Sequence, residues 1–70
     1  MPDEFQNHDI IAVRKDSAFD ICEFMNGALN RLEGPYGQPD AERRARHLAR
    51  ERGSDAWIQE FPTAVRLLQD

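Results

Sequence analysis

The sequence contains a single cysteine, Cys22, so it cannot form a disulfide within one chain. A lone cysteine is typical of proteins in reducing compartments, and we therefore expect a cytoplasmic protein. The sequence also lacks any apolar run close to the roughly 18 residues that a membrane-spanning helix needs. Its acidic N-terminus, MPDEFQNHD, is unlike a secretory signal. We expect no membrane partner.

The sequence has fewer basic than acidic residues. The chain has 9 lysines and arginines against 13 aspartates and glutamates, which gives a net charge of −4. The segment from Asp40 to Arg52 is the exception, with a net charge of +2 against −6 for the rest. Affinity for nucleic acid comes from neutralising phosphates. This balance therefore favours a protein partner with a basic surface over a nucleic acid.

The length and composition fit one small domain. The chain has 70 residues, of which 40% are hydrophobic and 31% charged. A chain of this size buries only about 60% of its unfolded surface, so its core is thin. Residues 1–8 are rich in polar groups and are predicted to form a flexible lead-in. Residues 9–70 are predicted to form a single domain.

Residues 17–34 admit two interpretations. Asn26-Gly27 favours a hairpin, because both residue types tolerate the positive φ that a type I′ turn requires. The alternative is a helix over residues 17–33, with Ser17 as its N-cap and apolar side chains spaced three or four apart. Asn26 and Gly27 inside that helix would together cost over about 1 kcal/mol relative to alanine, which favours the hairpin. The hairpin pairs Met25 with Ala28, Phe24 with Leu29 and Ile21 with Leu32.

The other elements follow from composition and spacing. Strands are predicted over residues 9–15, 56–61 and 64–68, which are rich in β-branched or aromatic side chains. A loop is predicted over residues 34–38, and a helix over residues 39–52 with Ala41, Ala45, Leu48 and Ala49 on its apolar face. The predicted fold is a small α+β domain of order β-β-β-α-β(-β), an antiparallel sheet with one helix packed on one face. The helical alternative for residues 17–33 gives β-α-α-β.

The run from Gly34-Pro35-Tyr36 through the alanine-bearing helix to Gly53 and Trp57-Ile58 resembles small uncharacterised bacterial and phage-borne domains. In those domains a meander of strands leads through a glycine-aromatic loop into an alanine-rich helix and a closing strand. The resemblance covers residues 9–68. It implies the order of the elements but no chemistry.

No motif indicates catalysis or a cofactor. Cys22 and His47 are the only thiol and imidazole worth pairing, and a buried cysteine with a solvated histidine explains both. His8, Cys22 and His47 lack the spacing of a zinc site. The glycines match neither the P-loop nor the dinucleotide fingerprint. We predict that the chain is not an enzyme, with no catalytic residue, no metal and no cofactor.

Six residues are candidates for binding a partner. Arg43, Arg46, His47 and Arg50 lie three or four residues apart and form a basic stripe on the predicted helix. We call these four residues the basic stripe. They indicate either a ridge that binds phosphates or carboxylates, or a solvated helix face with Glu42–Arg46 and His47–Glu51 pairs. Tyr36 and Trp57 are large aromatic residues that serve either the core or a contact.

A single helix covers only one face of a sheet, and the predicted hairpin carries apolar residues on both faces. The uncovered face is therefore predicted to be an interface with another protein or with a second copy, giving a homodimer. The first hypothesis is a non-catalytic interaction module, such as a phage-type inhibitor of a host protein or nucleic-acid-handling complex, in the manner of anti-CRISPR proteins. The alternatives are a nucleic-acid contact domain that uses Lys15, Arg43, Arg46 and Arg50, and a small self-assembling subunit.

Overall fold

A computed structural model of the protein describes residues 5–61 and 64–68. These residues form five strands and one helix: β1 (Ile10–Lys15), β2 (Ala18–Met25), β3 (Ala28–Tyr36), α1 (Gln38–Arg52), β4 (Ala56–Phe61) and β5 (Ala64–Leu68). The predicted α+β class and the order β-β-β-α-β-β are confirmed. Within the described ranges, no helix has the length and apolar character needed to cross a lipid bilayer.

The five strands make one sheet in the order β3-β2-β1-β4-β5. Three of the neighbouring pairs are antiparallel, but β1 and β4 run parallel, with Ile11 beside Trp57. The sheet is therefore mixed, whereas a purely antiparallel sheet was predicted. The parallel pair arises because β1, β2 and β3 progress to one edge, and α1 then carries the chain back to the other side of β1.

The hairpin interpretation of residues 17–34 is confirmed and the helical alternative is wrong. Asn26 and Gly27 form the turn between β2 and β3, with φ of 52° and 82°. Met25 pairs with Ala28, and Phe24 pairs with Leu29, as predicted. The turn forms because glycine and asparagine adopt positive φ at little cost in free energy.

At the end of the hairpin away from the turn, the strand pairing differs from the prediction. The register of β2 against β3 shifts, so Ile21 pairs with Glu33, and its predicted pairing with Leu32 is wrong. A second shift lies between Ile21 and Phe19, and β3 continues to Tyr36, which pairs with Phe19. Residues 34–36, predicted as loop, therefore belong to a strand. Gly34 permits this with φ of 114°, since its backbone lies close to Phe19 and Asp20.

The helix packs its small side chains on one face of the sheet. It begins at Gln38, one residue before the predicted Pro39, and ends at Arg52, where Gly53 in a left-handed conformation (φ 64°) caps the C-terminus. The predicted apolar face is buried: Ala41, Ala45, Leu48 and Ala49. Across from it lie the buried sheet residues Ile10, Ala12, Phe19, Ile21, Ala56, Ile58 and Leu68. We call the side of the sheet away from α1 the open face.

Candidate protein-binding surface

A row of apolar side chains crosses the open face. Strand alternation places Phe24, Leu29, Trp57 and Leu67 on this side. Leu29 pairs with Phe24 across β3 and β2, and Leu67 pairs with Trp57 across β5 and β4. Phe5 joins the two halves above β1, with its ring 5.6 Å from that of Phe24 and 5.0 Å from that of Trp57. We call Leu29, Phe24, Phe5, Trp57 and Leu67 the apolar row.

The two ends of the apolar row face solvent while its middle is packed. Leu29 and Leu67 are 46% and 37% exposed, and the other exposed large apolar side chain of the described residues, Leu32 (39%), lies outside the apolar row. Under the middle, Ile11 and Cys22 are only 2% and 8% exposed despite facing away from α1. The Phe5 ring meets Trp57 edge-on, at 76°, a favoured geometry for aromatic pairs. The open face thus has a sheltered centre and exposed apolar ends.

The segment before β1 is attached to the hairpin and to β4. His8 donates its backbone N–H to the Phe24 carbonyl, and the Asn7 side chain accepts the backbone N–H of Asn26. The flexibility expected of residues 1–8 stays a prediction. Residues 1–4 lie outside the described residues, and residues 5–8 have these defined contacts.

Asp9 positions the indole of Trp57. Asp9 is 3% exposed, and its carboxylate accepts hydrogen bonds from the backbone N–H groups of Gln6 and Asp55 and from Trp57 Nε1, each at 3.1 Å. Three donors therefore satisfy a charge that is costly to bury without partners. Sequence reasoning missed this residue. An acidic residue before a β-branched run has no distinguishing signal, because its donors come from distant segments.

The part of the open face beyond the apolar row is polar. Arg31 Nε lies 3.3 Å from Asp20 Oδ1 across β3 and β2. These two residues border a shallow depression of about 500 Å³ that also includes Lys15, Asp16 and Pro35. Its charges balance, so it offers no field of one sign to a ligand.

The basic stripe on α1 is neutralised largely by acids of the same helix. Arg43 pairs with Asp40 at 3.0 Å, Arg46 with Glu42 at 3.4 Å and His47 with Glu51 at 3.3 Å. The last two are the pairs expected for a solvated helix face. Arg50 also has an interaction partner. These contacts favour the solvated-face interpretation over a ridge that binds phosphates.

Tyr36 belongs to the junction between β3 and α1. Its ring is half-buried against the core, and its hydroxyl donates to Glu33 Oε1 at 3.0 Å. Glu33 also accepts two hydrogen bonds from Arg44, at 2.7 and 3.2 Å. Hydrogen bonding to Arg44 lowers the pKa of Glu33, and the Glu33 carboxylate raises the pKa of Tyr36. Tyr36 therefore covers the core rather than extending from a loop.

The six predicted site residues do not meet at one place. Trp57 lies on the open face, whereas the basic stripe lies on α1 on the other side of the sheet. Tyr36 lies on the α1 side, at the end of β3. Sequence reasoning identified Trp57 but missed Phe5 and Asp9, which contact it. For Phe5 the only available signal was a large apolar residue within a polar segment.

The sheet keeps apart the thiol and the imidazole that the sequence offered as a pair. Cys22 faces the open side and His47 lies on α1, so the sheet separates the thiol from the imidazole. Burial, followed by the charge of Asp20, raises the pKa of the Cys22 thiol, which disfavours the nucleophilic thiolate. Residues 5–61 and 64–68 contain no cluster of three or more potential metal ligands.

Comparison with known proteins gives no further guide, since no family model, no curated protein and no solved structure matches this chain. The resemblance to small bacterial and phage-borne domains stays an expectation from the sequence.

Proposed function

We propose that this chain is a non-catalytic protein-interaction module that binds its partner through the apolar row. The observation that carries this proposal is the exposure of Leu29 and Leu67 at the two ends of a continuous apolar strip. The strip spans the four inter-strand steps from β3 to β5, a width of about 19 Å at about 4.8 Å per step. A strip of this kind resembles the centre of a protein interface, where aromatic and aliphatic side chains exclude water.

The charges favour a protein over a nucleic acid as the partner. The net charge of the chain is −4, and three members of the basic stripe pair with helix acids. An acidic body with an apolar strip complements a partner whose own apolar patch has a basic rim. The apolar strip supplies affinity, while the charges guide the approach.

An inhibitor is one form of this proposal. A phage-type protein of this size would act in the cytoplasm by occupying a surface on a host protein or on a nucleic-acid-handling complex, as anti-CRISPR proteins do. Only the size and the α+β class support this form, and both are shared by many unrelated proteins. A second copy of the chain is the alternative occupant of the same strip.

The test compares capture by the wild-type chain and by variants of the apolar row. Immobilised protein is incubated with a bacterial lysate, and the retained proteins are identified by mass spectrometry. Leu29→Asp and Leu67→Asp should each reduce the retained partner about tenfold, since a charge in the centre of an apolar contact costs about 1.4 kcal/mol or more. Asn30→Asp adds the same charge to the neighbouring exposed position, on the other face of β3, and should leave capture unchanged.

Light scattering of the purified chain distinguishes the two occupants. A mass that doubles with concentration in the wild type, but not in Leu29→Asp, identifies a second copy. Equal capture by the wild type and by both leucine variants, with no self-association, overturns the proposal.

A further inference from the structure

The centre of the apolar row is a slot between two aromatic side chains. Phe24 on β2 and Trp57 on β4 form its walls, and β1, which lies between those strands, forms its floor. The ring of Phe5 lies in this slot, 5.6 Å from the Phe24 ring at 56° and 5.0 Å from the Trp57 ring at 76°. Ile11 on β1 is only 2% exposed. We call this place the aromatic slot, and the chain fills it with a ring of its own.

The walls of the aromatic slot are fixed more firmly than its occupant. Phe24 and Trp57 lie in strands that pair with a neighbour on each side. The indole of Trp57 also donates to the Asp9 carboxylate at 3.1 Å. Phe5, in contrast, precedes the first strand and contacts the sheet through its ring. The slot therefore keeps its shape when the Phe5 ring leaves it.

The turn that follows Phe5 has its own anchors. Gln6 donates its backbone N–H to the Asp9 carboxylate at 3.1 Å, and Asp9 donates its backbone N–H to the Gln6 carbonyl at 3.0 Å. His8 donates its backbone N–H to the Phe24 carbonyl at 2.8 Å. Rotation at residue 5 moves the ring out of the slot and leaves these three hydrogen bonds in place. Release of the ring thus requires no unfolding of the turn.

We propose that the aromatic slot binds an aromatic side chain of the partner protein in exchange for Phe5. This proposal rests on the proposed function, since it names the side chain that the partner places at the centre of the apolar row. The ring contacts that Phe5 gives up are made again by the incoming ring, so the exchange itself changes the free energy little. The remaining contacts of the partner then supply the affinity.

The position of the aromatic slot favours this occupant. Leu29 and Leu67 are exposed on either side of it, so a partner that contacts both leucines passes directly over the slot. Interfaces concentrate their binding energy in a few central residues, often aromatic, that fill pockets of the other protein. The edge-on contacts with Phe24 and Trp57 favour an aromatic ring over an aliphatic side chain of similar size.

Small probes test the aromatic slot on the full chain without the partner. The probes are N-acetyl-phenylalanine amide and N-acetyl-leucine amide, which share a backbone and differ in the side chain. In Phe5→Ala, the phenylalanine probe should shift the indole N–H signal of Trp57 in NMR titrations. It should bind at least about fivefold more tightly than the leucine probe, because only the aromatic ring makes the edge-on contacts.

The wild type provides the comparison for these titrations. It should bind the phenylalanine probe at least about tenfold more weakly than Phe5→Ala, since its own ring occupies the slot in most molecules. Gln6→Ala is the control, because Gln6 is exposed and the substitution keeps its backbone N–H. It should behave as the wild type does. Equal binding of the two probes by Phe5→Ala, or no shift at about 10 mM probe, overturns the proposal.

The partner retained in the capture experiment tests the exchange itself. Once purified, it should bind Phe5→Ala at least about fivefold more tightly than the wild type, because the competing ring is gone. Phe5→Leu should lie between the two, and it allows the comparison with the wild type even where Phe5→Ala fails to fold. Gln6→Ala should bind as the wild type does. Weaker binding by both Phe5 variants would make Phe5 part of the contact and overturn the exchange.

The leucine variants distinguish failure of this proposal from failure of the proposed function. Reduced capture by Leu29→Asp and Leu67→Asp, without tighter binding by the Phe5 variants, supports the apolar row and overturns the exchange. Capture by both leucine variants at the level of the wild type overturns the proposed function, whatever the probes show in the aromatic slot.

Discussion

At the scale of single residues, Asp9 links three separate segments. Its carboxylate accepts from the backbone of Gln6, from the backbone of Asp55 and from the indole of Trp57. Asp9 thus holds together the segment before β1, the residue before β4 and the indole ring of Trp57 in the apolar row. Its position at the parallel β1–β4 pair explains why one side chain reaches all three.

Replacing Asp9 tests this role. Asp9→Ala should lower the free energy of unfolding by about 3 kcal/mol, because buried donors then lack an acceptor. Asp9→Asn keeps the shape and one acceptor oxygen, and about half that loss is expected. Urea denaturation measures both, with Trp57 fluorescence as the signal. The control is Asp40→Ala on the exposed helix surface, and equal stability of Asp9→Ala and Asp40→Ala would contradict the assignment.

At the scale of elements, the predictable parts are those whose cause is local. The α1 periodicity, the Asn26-Gly27 turn and the β-branched composition of β1 are all visible in short stretches of sequence. The continuation of β3 through Gly34 is not, since it depends on how closely the backbone at Phe19 approaches. The parallel pairing of β1 with β4 likewise depends on the path of the whole chain, and so do the Asp9 contacts.

Alanine substitutions at the two glycines of the hairpin distinguish the cost of backbone strain from the cost of a steric clash. A Cβ at Gly27 would meet nothing within 4 Å, whereas one at Gly34 would lie 3.0 Å from the Phe19 carbonyl oxygen and 3.2 Å from Asp20 Cα. Both have positive φ, so Gly27→Ala should cost about 1 kcal/mol. Gly34→Ala adds a backbone clash and should cost at least about 3 kcal/mol. Thermal unfolding followed by circular dichroism compares them, and equal losses would contradict the close approach.

The ion pair between β3 and α1 makes stability depend on pH. The Arg44 hydrogen bonds lower the pKa of Glu33 below its ordinary 4.5. A lowered carboxyl pKa stabilises the folded state above the unfolded value, and this stabilisation is lost as the pH falls through the folded value. Glu33→Gln should therefore be less stable than the wild type at pH 7, with a difference that shrinks below pH 4.5.

Urea titrations at several pH values measure that difference. Glu51→Gln, which changes an exposed carboxylate of α1, is the control and should alter stability little. A Glu33→Gln deficit that is constant down to the acid transition would show that packing, rather than the charge of Glu33, holds β3 against α1.

At the scale of the whole molecule, the two sides of the sheet have different characters. The α1 side presents charged groups that are paired with one another, and the open side presents the apolar row. The basic stripe and the apolar row lie on opposite sides of the sheet, so a partner that contacts the basic stripe does not contact the apolar row. A nucleic acid would approach the basic stripe, and a protein would approach the apolar row.

This separation predicts how the chain responds to nucleic acid. Filter binding at low salt should retain negligible DNA or RNA, and Arg46→Ala should change nothing, since Glu42 already neutralises that guanidinium. Neutralising the three helix acids that pair with the basic stripe should release it: Asp40→Asn, Glu42→Gln and Glu51→Gln together raise the net charge from −4 to −1. The triple variant should retain more nucleic acid than the wild type. This retention should decrease steeply as salt is added, as phosphate contacts require. Strong retention by the wild type, abolished by Arg46→Ala, would instead assign the basic stripe to nucleic-acid binding.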